Sequence, residues 1–106
     1  MNKKRWFNLL LSEQLANIGS EVERTILWRK KDNLEYSKRA FERCLELLDL
    51  TLADVKNQKR LREVARLREV LVDYFFGHNE YSSSDILWRK YFLAFNYKAR
   101  MNIPEV

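Results

Sequence analysis

Residues that turn a polypeptide chain are almost missing from this sequence. Two glycines and one proline occur among its 106 residues. All-β domains need turn residues about every eight to twelve positions, and too few are present for that. Leu, Arg, Glu and Lys, which favour helices, are abundant instead. The sequence therefore predicts an all-α fold in a single domain covering residues 1–106.

Apolar residues recur three and four positions apart in four stretches, which is the spacing of one face of a helix. The predicted helices cover residues 13–31, 34–56, 58–76 and 85–101. The polar breaks between them are short, which favours antiparallel neighbours. We predict an antiparallel up-down four-helix bundle, preceded by a short N-terminal lead-in segment at residues 6–11.

Capping residues and glycines mark the ends and contacts of these helices. Ser12 is predicted as the N-cap of the first helix, and a serine at 82–84 as the N-cap of the fourth. Asp32-Asn33 is predicted to form the turn before the second helix. Gly77 is predicted to end the third helix in a left-handed conformation. Gly19 lies on the apolar stripe of the first helix, which indicates close approach of another helix.

The chain is basic, with a net charge of +5 and a pI near 9.5. Its twenty Lys and Arg residues are interleaved with fifteen Asp and Glu residues, as on a solvated helical surface. The charge permits nucleic acid binding, but no helix-turn-helix, zinc finger or ribonucleoprotein motif supports it.

A single cysteine, Cys44, excludes an intrachain disulfide and any multi-cysteine metal site. Its apolar neighbours predict a buried, inert thiol, and no cofactor is expected. No apolar run is long enough to span a bilayer, so no membrane association is predicted. The apolar part of the N-terminus is interrupted by Asn8 and is not followed by a cleavage site, which predicts a cytoplasmic protein.

Arg68 departs from the amphipathic pattern. It falls in the middle of the apolar stripe of the third helix, where an unpaired guanidinium would cost several kcal/mol. We therefore predict that it is mostly buried and paired with Asp49, Glu46 or Asp85. A bundle-organising ion pair is favoured over an arginine that binds a ligand.

The turn from Asp73 to Asp85 concentrates polar chemistry around the only histidine. With Arg68 and Asp49, the candidate binding residues are Asp73, Tyr74, His78, Asn79, Glu80, Tyr81 and Asp85. A metal site lacks ligands at helical spacing, and a general base at His78 lacks a complete set of catalytic partners. The amides of residues 82–84 could receive a phosphate or an acidic side chain, but helix capping alone explains these serines. No catalytic and no metal residue is predicted.

The fourth helix is apolar on two sides, because Ile86, Leu93 and Tyr97 lie opposite its main stripe. Either residues 6–11 cover this second face, or it is a surface for a partner. Leu27 and Trp28, off the main face of the first helix, favour self-association in the same way. The pentapeptide at 26–30 recurs at 86–90, but its two tryptophans fall on different faces, so the repeat is interpreted as a coincidence.

The sequence resembles small uncharacterised prokaryotic helical proteins at residues 39–43, 47–51, 67–70, 73–75 and 79–85. The resemblance covers most of the chain and implies a helical bundle without an established activity. In size and architecture the chain is also similar to the HEPN group, the helical partners of minimal nucleotidyltransferases. Ribonucleases of that group carry an arginine followed about four to six residues later by a histidine. Here the nearest arginine before His78 is Arg68, which is too distant, so the resemblance implies a non-catalytic binding role.

These observations predict an interaction or accessory protein without enzymatic activity, which binds a protein partner or itself through a surface centred on the Asp73–Asp85 turn and its neighbours. The alternative is an RNA-binding or RNA-processing protein that uses Arg66, Arg68 and His78. A cleft that joins these three residues would favour the alternative.

Overall fold

All regular structure in the described part of the chain is helical. A computed structural model describes residues 2–101. Its elements are α1 (Lys3–Phe7), α2 (Leu11–Lys30), α3 (Leu34–Ala53), a 3₁₀ helix (Val55–Arg60), α4 (Leu61–Phe76) and α5 (Asp85–Met101). The all-α prediction is confirmed. The lead-in is itself helical, over Lys3–Phe7 rather than 6–11. The 3₁₀ helix spans the predicted break between the second and third helices, so α3 ends at Ala53 and α4 begins at Leu61.

α2 is the central helix and packs most extensively against α3 and α5. Its apolar residues at helical spacing are all buried, as that spacing predicts: Leu11, Leu15, Ile18, Val22 and Ile26. The core of the described residues is formed by Trp6, Leu11, Leu15, Ile18, Val22, Ile26, Phe41, Cys44, Leu47, Leu48, Val64, Leu67, Leu71, Trp88, Phe92 and Phe95. Within residues 2–101, no helix combines the length and the apolar character that crossing a membrane would require.

The helix ends confirm two predicted caps and correct a third. The side chain of Asn33 accepts a hydrogen bond from the N–H of Tyr36 (3.1 Å), and Ser84 Oγ accepts one from the N–H of Leu87 (3.2 Å). Ser12 is not an N-cap, because α2 begins one residue earlier, at Leu11. There the Glu13 carboxylate reaches back to the N–H of Leu10 (2.9 Å), which satisfies the helix end without the serine.

Gly77 ends α4 but is not left-handed, so that prediction is wrong. Its φ of −103° is open to any residue, and the positive φ angles of this turn belong to Asn79 and Ser82. The need for glycine is one of space. A Cβ atom here would lie 2.9 Å from the carbonyl oxygen of Asp73, at the point where the chain leaves the helix.

Gly19 marks the close helix contact that its position predicts. A Cβ atom at this residue would lie 2.8 Å from the Cβ, Cγ and Cδ1 atoms of Phe92 on α5. Because Phe92 is almost fully buried, its ring has little room to move away. The absence of a side chain at Gly19 therefore sets how closely α2 and α5 approach.

A buried polar network fixes α1 against the end of α3. Trp6 is fully buried, and its Nε1 donates to Thr51 Oγ1 (3.2 Å). Gln14 Nε2 donates to the carbonyl of Trp6 (3.0 Å) and to Asp54 Oδ2 (2.8 Å). Asn57 Nδ2 donates to Gln14 Oε1 (2.8 Å). These hydrogen bonds hold the N-terminal segment against α3.

Cys44 is fully buried, as predicted. Burial raises the pKa of its thiol to about 12; the negative charge of Glu21 adds to this effect and Arg68 opposes it. The thiolate, which is the reactive form, is therefore almost absent at neutral pH.

We expect native protein to react with iodoacetamide at pH 8 more than about 100-fold more slowly than protein unfolded in urea, because thiolate is scarce in the folded state. Quenched time courses read by mass spectrometry would measure both rates, with N-acetylcysteine as the reference thiol. Equal rates in the two states would contradict the buried placement.

Candidate functional site

Arg68 pairs with Asp49, the first of its predicted partners, but it is not deeply buried. Arg68 Nε lies 2.8 Å from Asp49 Oδ1, and the two side chains are 36% and 59% exposed. The buried residues of α4 are Val64, Leu67 and Leu71, so Arg68 lies beside the buried face rather than at its middle, and its long stem carries the guanidinium out to solvent. Such a pair contributes about 0–1 kcal/mol. It joins α3 to α4 and does not organise the interior.

The Asp73–Asp85 turn uses its polar groups to hold itself together. The Asp73 carboxylate accepts hydrogen bonds from the N–H groups of Glu80 (2.9 Å) and Tyr81 (3.1 Å). Asn79 brackets Ser83, accepting from its N–H (2.7 Å) and donating to its carbonyl (3.0 Å). Asp73 and Asn79 therefore stabilise the turn through hydrogen bonds to its backbone.

Three other polar side chains of the turn face solvent. His78, Glu80 and Tyr81 are exposed, and the guanidinium of Arg66 lies 4.8 Å from the centre of the Tyr81 ring. Over residues 2–101, no group of three or more His, Cys, Asp or Glu side chains is placed to hold a metal ion. The turn therefore presents no assembled chemical site.

Tyr74 and Asp85 are brought together, with a partner that the sequence did not indicate. Tyr74 Oη donates to Asp85 Oδ1 (2.6 Å), and Arg29 donates to both Asp85 (2.9 Å) and Tyr74 (3.0 Å). The guanidinium also lies 4.9 Å from the centres of the Tyr74 and Phe75 rings. Burial raises the pKa of the Tyr74 hydroxyl, and the hydrogen bond to Asp85 adds to this. The hydroxyl therefore remains a donor, and the cluster ties α2, α4 and α5 together.

The repeated pentapeptide has one shared role and one difference. The Arg89 guanidinium binds both carboxylate oxygens of Glu23 (2.8 and 2.8 Å), so Arg29 and Arg89 each cross between α2 and α5 to an acidic residue. The tryptophans differ as predicted: Trp88 is buried, whereas Trp28 is half-buried beside Tyr36. The two arginines thus join the same pair of helices, one from each side. The spacing of apolar residues could not predict this shared role, because it carries no information on ion pairs.

The outer face of α5 is exposed. We define it as the exposed residues Ile86, Leu87, Lys90, Leu93, Ala94, Tyr97, Arg100 and Met101. Ile86, Leu93 and Tyr97 are 65%, 65% and 60% exposed. Of the two alternatives for this face, cover by the N-terminal segment is wrong, because that segment packs against α3.

A groove of about 450 Å³ lies beside this face, between α2 and α5. Its apolar lining consists of Gly19, Val22, Ile26, Trp88, Phe92 and Leu93. Polar side chains, including the Glu23–Arg89 pair, form the rest of the wall. Leu93 belongs to both the groove and the outer face of α5, so the two surfaces are continuous.

A larger depression of about 760 Å³ lies between α2 and α3, and its wall carries side chains of both charge signs. Its wall mixes Lys3, Arg24 and Arg43 with Glu21, Glu46 and Asp49. Charges of opposite sign neutralise one another there, for example in the Arg24–Glu21 pair (2.5 Å). The depression favours neither anions nor cations.

Two of the three residues of the RNA alternative, Arg66 and Arg68, point to different sides of α4. Arg66 and Arg68 are two positions apart on α4, which places them about 160° apart around the helix axis. Arg66 stacks on Tyr81, Arg68 pairs with Asp49, and His78 is exposed in the turn. Arg66 and Arg68 therefore do not face a common cleft.

Comparisons with known proteins add no relative to this description. The geometry of the outer face of α5 and its groove must therefore carry the functional inference. No family model matches the chain, and neither a curated protein nor a solved structure matches it.

Proposed function

We propose that this protein is a non-enzymatic interaction module that binds a protein partner, or a second copy of itself, through the outer face of α5. One observation carries the proposal: three large apolar side chains on one stripe of α5 are each at least 60% exposed. Contiguous apolar surface of this kind is characteristic of binding sites. The sequence suggested that the N-terminal segment could cover this face. In the described structure that segment packs against α3 instead.

The energetics of the face support binding. Full burial of an Ile or Leu side chain gains about 1.5–3 kcal/mol, so Ile86 and Leu93 together offer several kcal/mol to a partner. Tyr97 adds a large ring with a polar tip, a residue type enriched at interfaces. That gain must exceed the cost of association, which requires a complementary partner rather than incidental contact.

A role without catalysis follows from how the polar residues are used. The carboxylate of Asp73 and the amide of Asn79 hold the turn, and Tyr74 and Asp85 are tied to Arg29. The RNA alternative lacks support from the positions of Arg66 and Arg68, and a cytoplasmic location stays a prediction.

The proposal includes an up-down antiparallel arrangement of α2, α3, α4 and α5. Its support is the order of the contacts. Between α2 and α3, Gln14 meets Asp54 and Thr25 meets Ser37; between α2 and α5, Glu23 meets Arg89 and Arg29 meets Asp85. In each pair, residue numbers rise along one helix as they fall along the other. Such a bundle would leave one side of α5 free along its length.

Leu93→Glu is expected to abolish binding while leaving the fold intact, because an exposed side chain contributes little to folding and a carboxylate would replace the centre of the apolar face. Sedimentation velocity would detect self-association. Capture from native lysate, with nuclease-treated and untreated arms, would detect a partner of the wild type that the variant loses.

Leu34→Glu is the matched control, since Leu34 is 68% exposed but lies on α3. It should bind as the wild type does, and circular dichroism should show both variants folded. Capture by Leu93→Glu equal to that of the wild type would contradict the proposal, and nuclease-sensitive capture would favour the RNA alternative.

A further inference from the structure

The outer face of α5 carries positive charge only. Its two charged residues, Lys90 and Arg100, are both cations and both exposed. The single carboxylate of the helix, on Asp85, is half-buried and bonded to Arg29 and Tyr74. A partner on this face therefore meets apolar groups and cations, since none of the residues that define the face is acidic, and the carboxylate of Glu23 in the neighbouring groove is already paired with Arg89.

Lys90 lies within the apolar stripe rather than at its border. At 100° per residue, Leu93 and Tyr97 fall about 20° to either side of Ile86, and Lys90 falls about 40° from it, on the Tyr97 side. A partner that covers Ile86 and Tyr97 must also cover Lys90. Because an unpaired buried ammonium is costly, the partner has to place a carboxylate against it.

A lipid surface fits this pattern poorly. Helices that lie in a membrane interface carry their cations on the polar side and keep the inserted face apolar. Here the opposite side of α5 is held in the core by Trp88, Phe92 and Phe95. The helix therefore cannot rotate to move Lys90 away from an apolar phase.

A second copy of the chain is also a poor match. Two copies joined through this face would bring Lys90 and Arg100 of both into one interface without an acidic residue from either face. Each copy also carries a net charge of +5, and like charges oppose association.

We infer that the outer face of α5 binds an acidic amphipathic helix of another protein. Its apolar side chains would pack on Ile86, Leu93 and Tyr97, and a carboxylate between them would pair with Lys90. The groove beside Leu93 gives one apolar side chain of that helix a place to enter between α2 and α5. This inference rests on the proposed function and adds the chemistry of the partner.

Three fluorescein-labelled synthetic helices of one design would test the inference. Each carries leucines at helical spacing; the positions between them are Glu in the first peptide, Gln in the second and Lys in the third. By fluorescence anisotropy we expect the Glu peptide to bind at least about tenfold more tightly than the Gln peptide, and more weakly as salt rises. The Lys peptide should not bind.

Lys90→Glu should reverse this order, so that the Lys peptide binds and the Glu peptide does not. Lys59→Glu makes the same change in net charge at an exposed residue of the 3₁₀ helix and should keep the wild-type order. If Lys59→Glu also reversed the order, overall charge rather than the face would be responsible, and the inference would be overturned.

The remaining outcomes separate the partner's chemistry from the proposed function. Equal binding of the Glu and Gln peptides, or no binding up to about 1 mM, would overturn the inference, as would a wild-type dimer that Leu93→Glu dissociates. Binding to phosphatidylglycerol vesicles without peptide binding would also overturn it in favour of a lipid surface. If the Glu and Gln peptides bound equally, or if neither bound, the proposed function would still stand as long as Leu93→Glu lost a protein that the wild type captures from lysate.

Discussion

Gln14→Leu is expected to lower the free energy of unfolding by about 3 kcal/mol, because it removes three hydrogen bonds from a site that water does not reach. Gln14 is fully buried. It donates to the Trp6 carbonyl and to Asp54, and accepts from Asn57. Leucine has similar volume, so the loss would come from polar groups left short of partners rather than from a cavity. Urea denaturation followed by circular dichroism would measure it.

Asn17→Leu is the matched control on the same helix. Asn17 is exposed, and its side chain donates to the carbonyl of Glu13 (2.8 Å) at the surface. We expect this substitution to change stability by less than about 0.5 kcal/mol. Similar losses in the two variants would show that the network around Gln14 does not stabilise the fold.

The dependence of stability on pH in the acid range gives a second test of the network around Gln14. Burial tends to raise the pKa of Asp54, but hydrogen bonds from Lys56 and Gln14 outweigh it and hold the pKa below its ordinary value. A carboxyl with a depressed folded-state pKa contributes stability above its unfolded pKa of about 3.9, and that stability is lost as the pH falls through the folded-state value. Gln14→Leu removes one of these donors. Its acid unfolding midpoint should therefore lie at higher pH than that of the wild type.

The helices and their contacts could be predicted because apolar periodicity is a local signal. The stripe of α2, the cap at Asn33 and the close approach at Gly19 follow from residue types a few positions apart. The network around Gln14 could not be predicted in this way. Its partners Asp54 and Asn57 lie about 40 residues away in sequence, and a glutamine beside an apolar stripe looks the same whether its partner is water or protein.

The candidate site was predicted less well, for two physical reasons. Asp, Asn and Ser stabilise turns and also bind ligands, so the sequence of the Asp73–Asp85 turn predicted a binding site. In the structure, Asp73 and Asn79 instead form hydrogen bonds within the turn. Apolar spacing also gives the buried face of a helix only approximately. The buried residues of α4 are Val64, Leu67 and Leu71, so Arg68 lies beside this face and reaches solvent next to Asp49.

Gly19→Leu is expected to destabilise the protein by about 3 kcal/mol or more, because new atoms would be forced against Phe92. In an open helix the same change should stabilise by roughly 0.8 kcal/mol, since leucine is a better helix former than glycine. The steric effect should win because the atoms in the way include the Cβ of Phe92, 2.8 Å from the new Cβ. That atom is fixed to the backbone, so α5 itself would have to move.

A double-mutant cycle with Phe92→Ala would show whether this contact is the cause. Phe92→Ala alone should cost about 3–5 kcal/mol through the cavity it leaves. In that background Gly19→Leu no longer meets the ring but still meets the Cβ atom of residue 92, so its cost should fall by about 1 kcal/mol or more without vanishing. Urea denaturation of the four proteins would give the coupling energy. If Gly19→Leu cost the same with and without the ring, contact with the Phe92 ring would not contribute to the requirement for glycine at this position, and the clash with the Cβ atom of residue 92 would have to account for all of it.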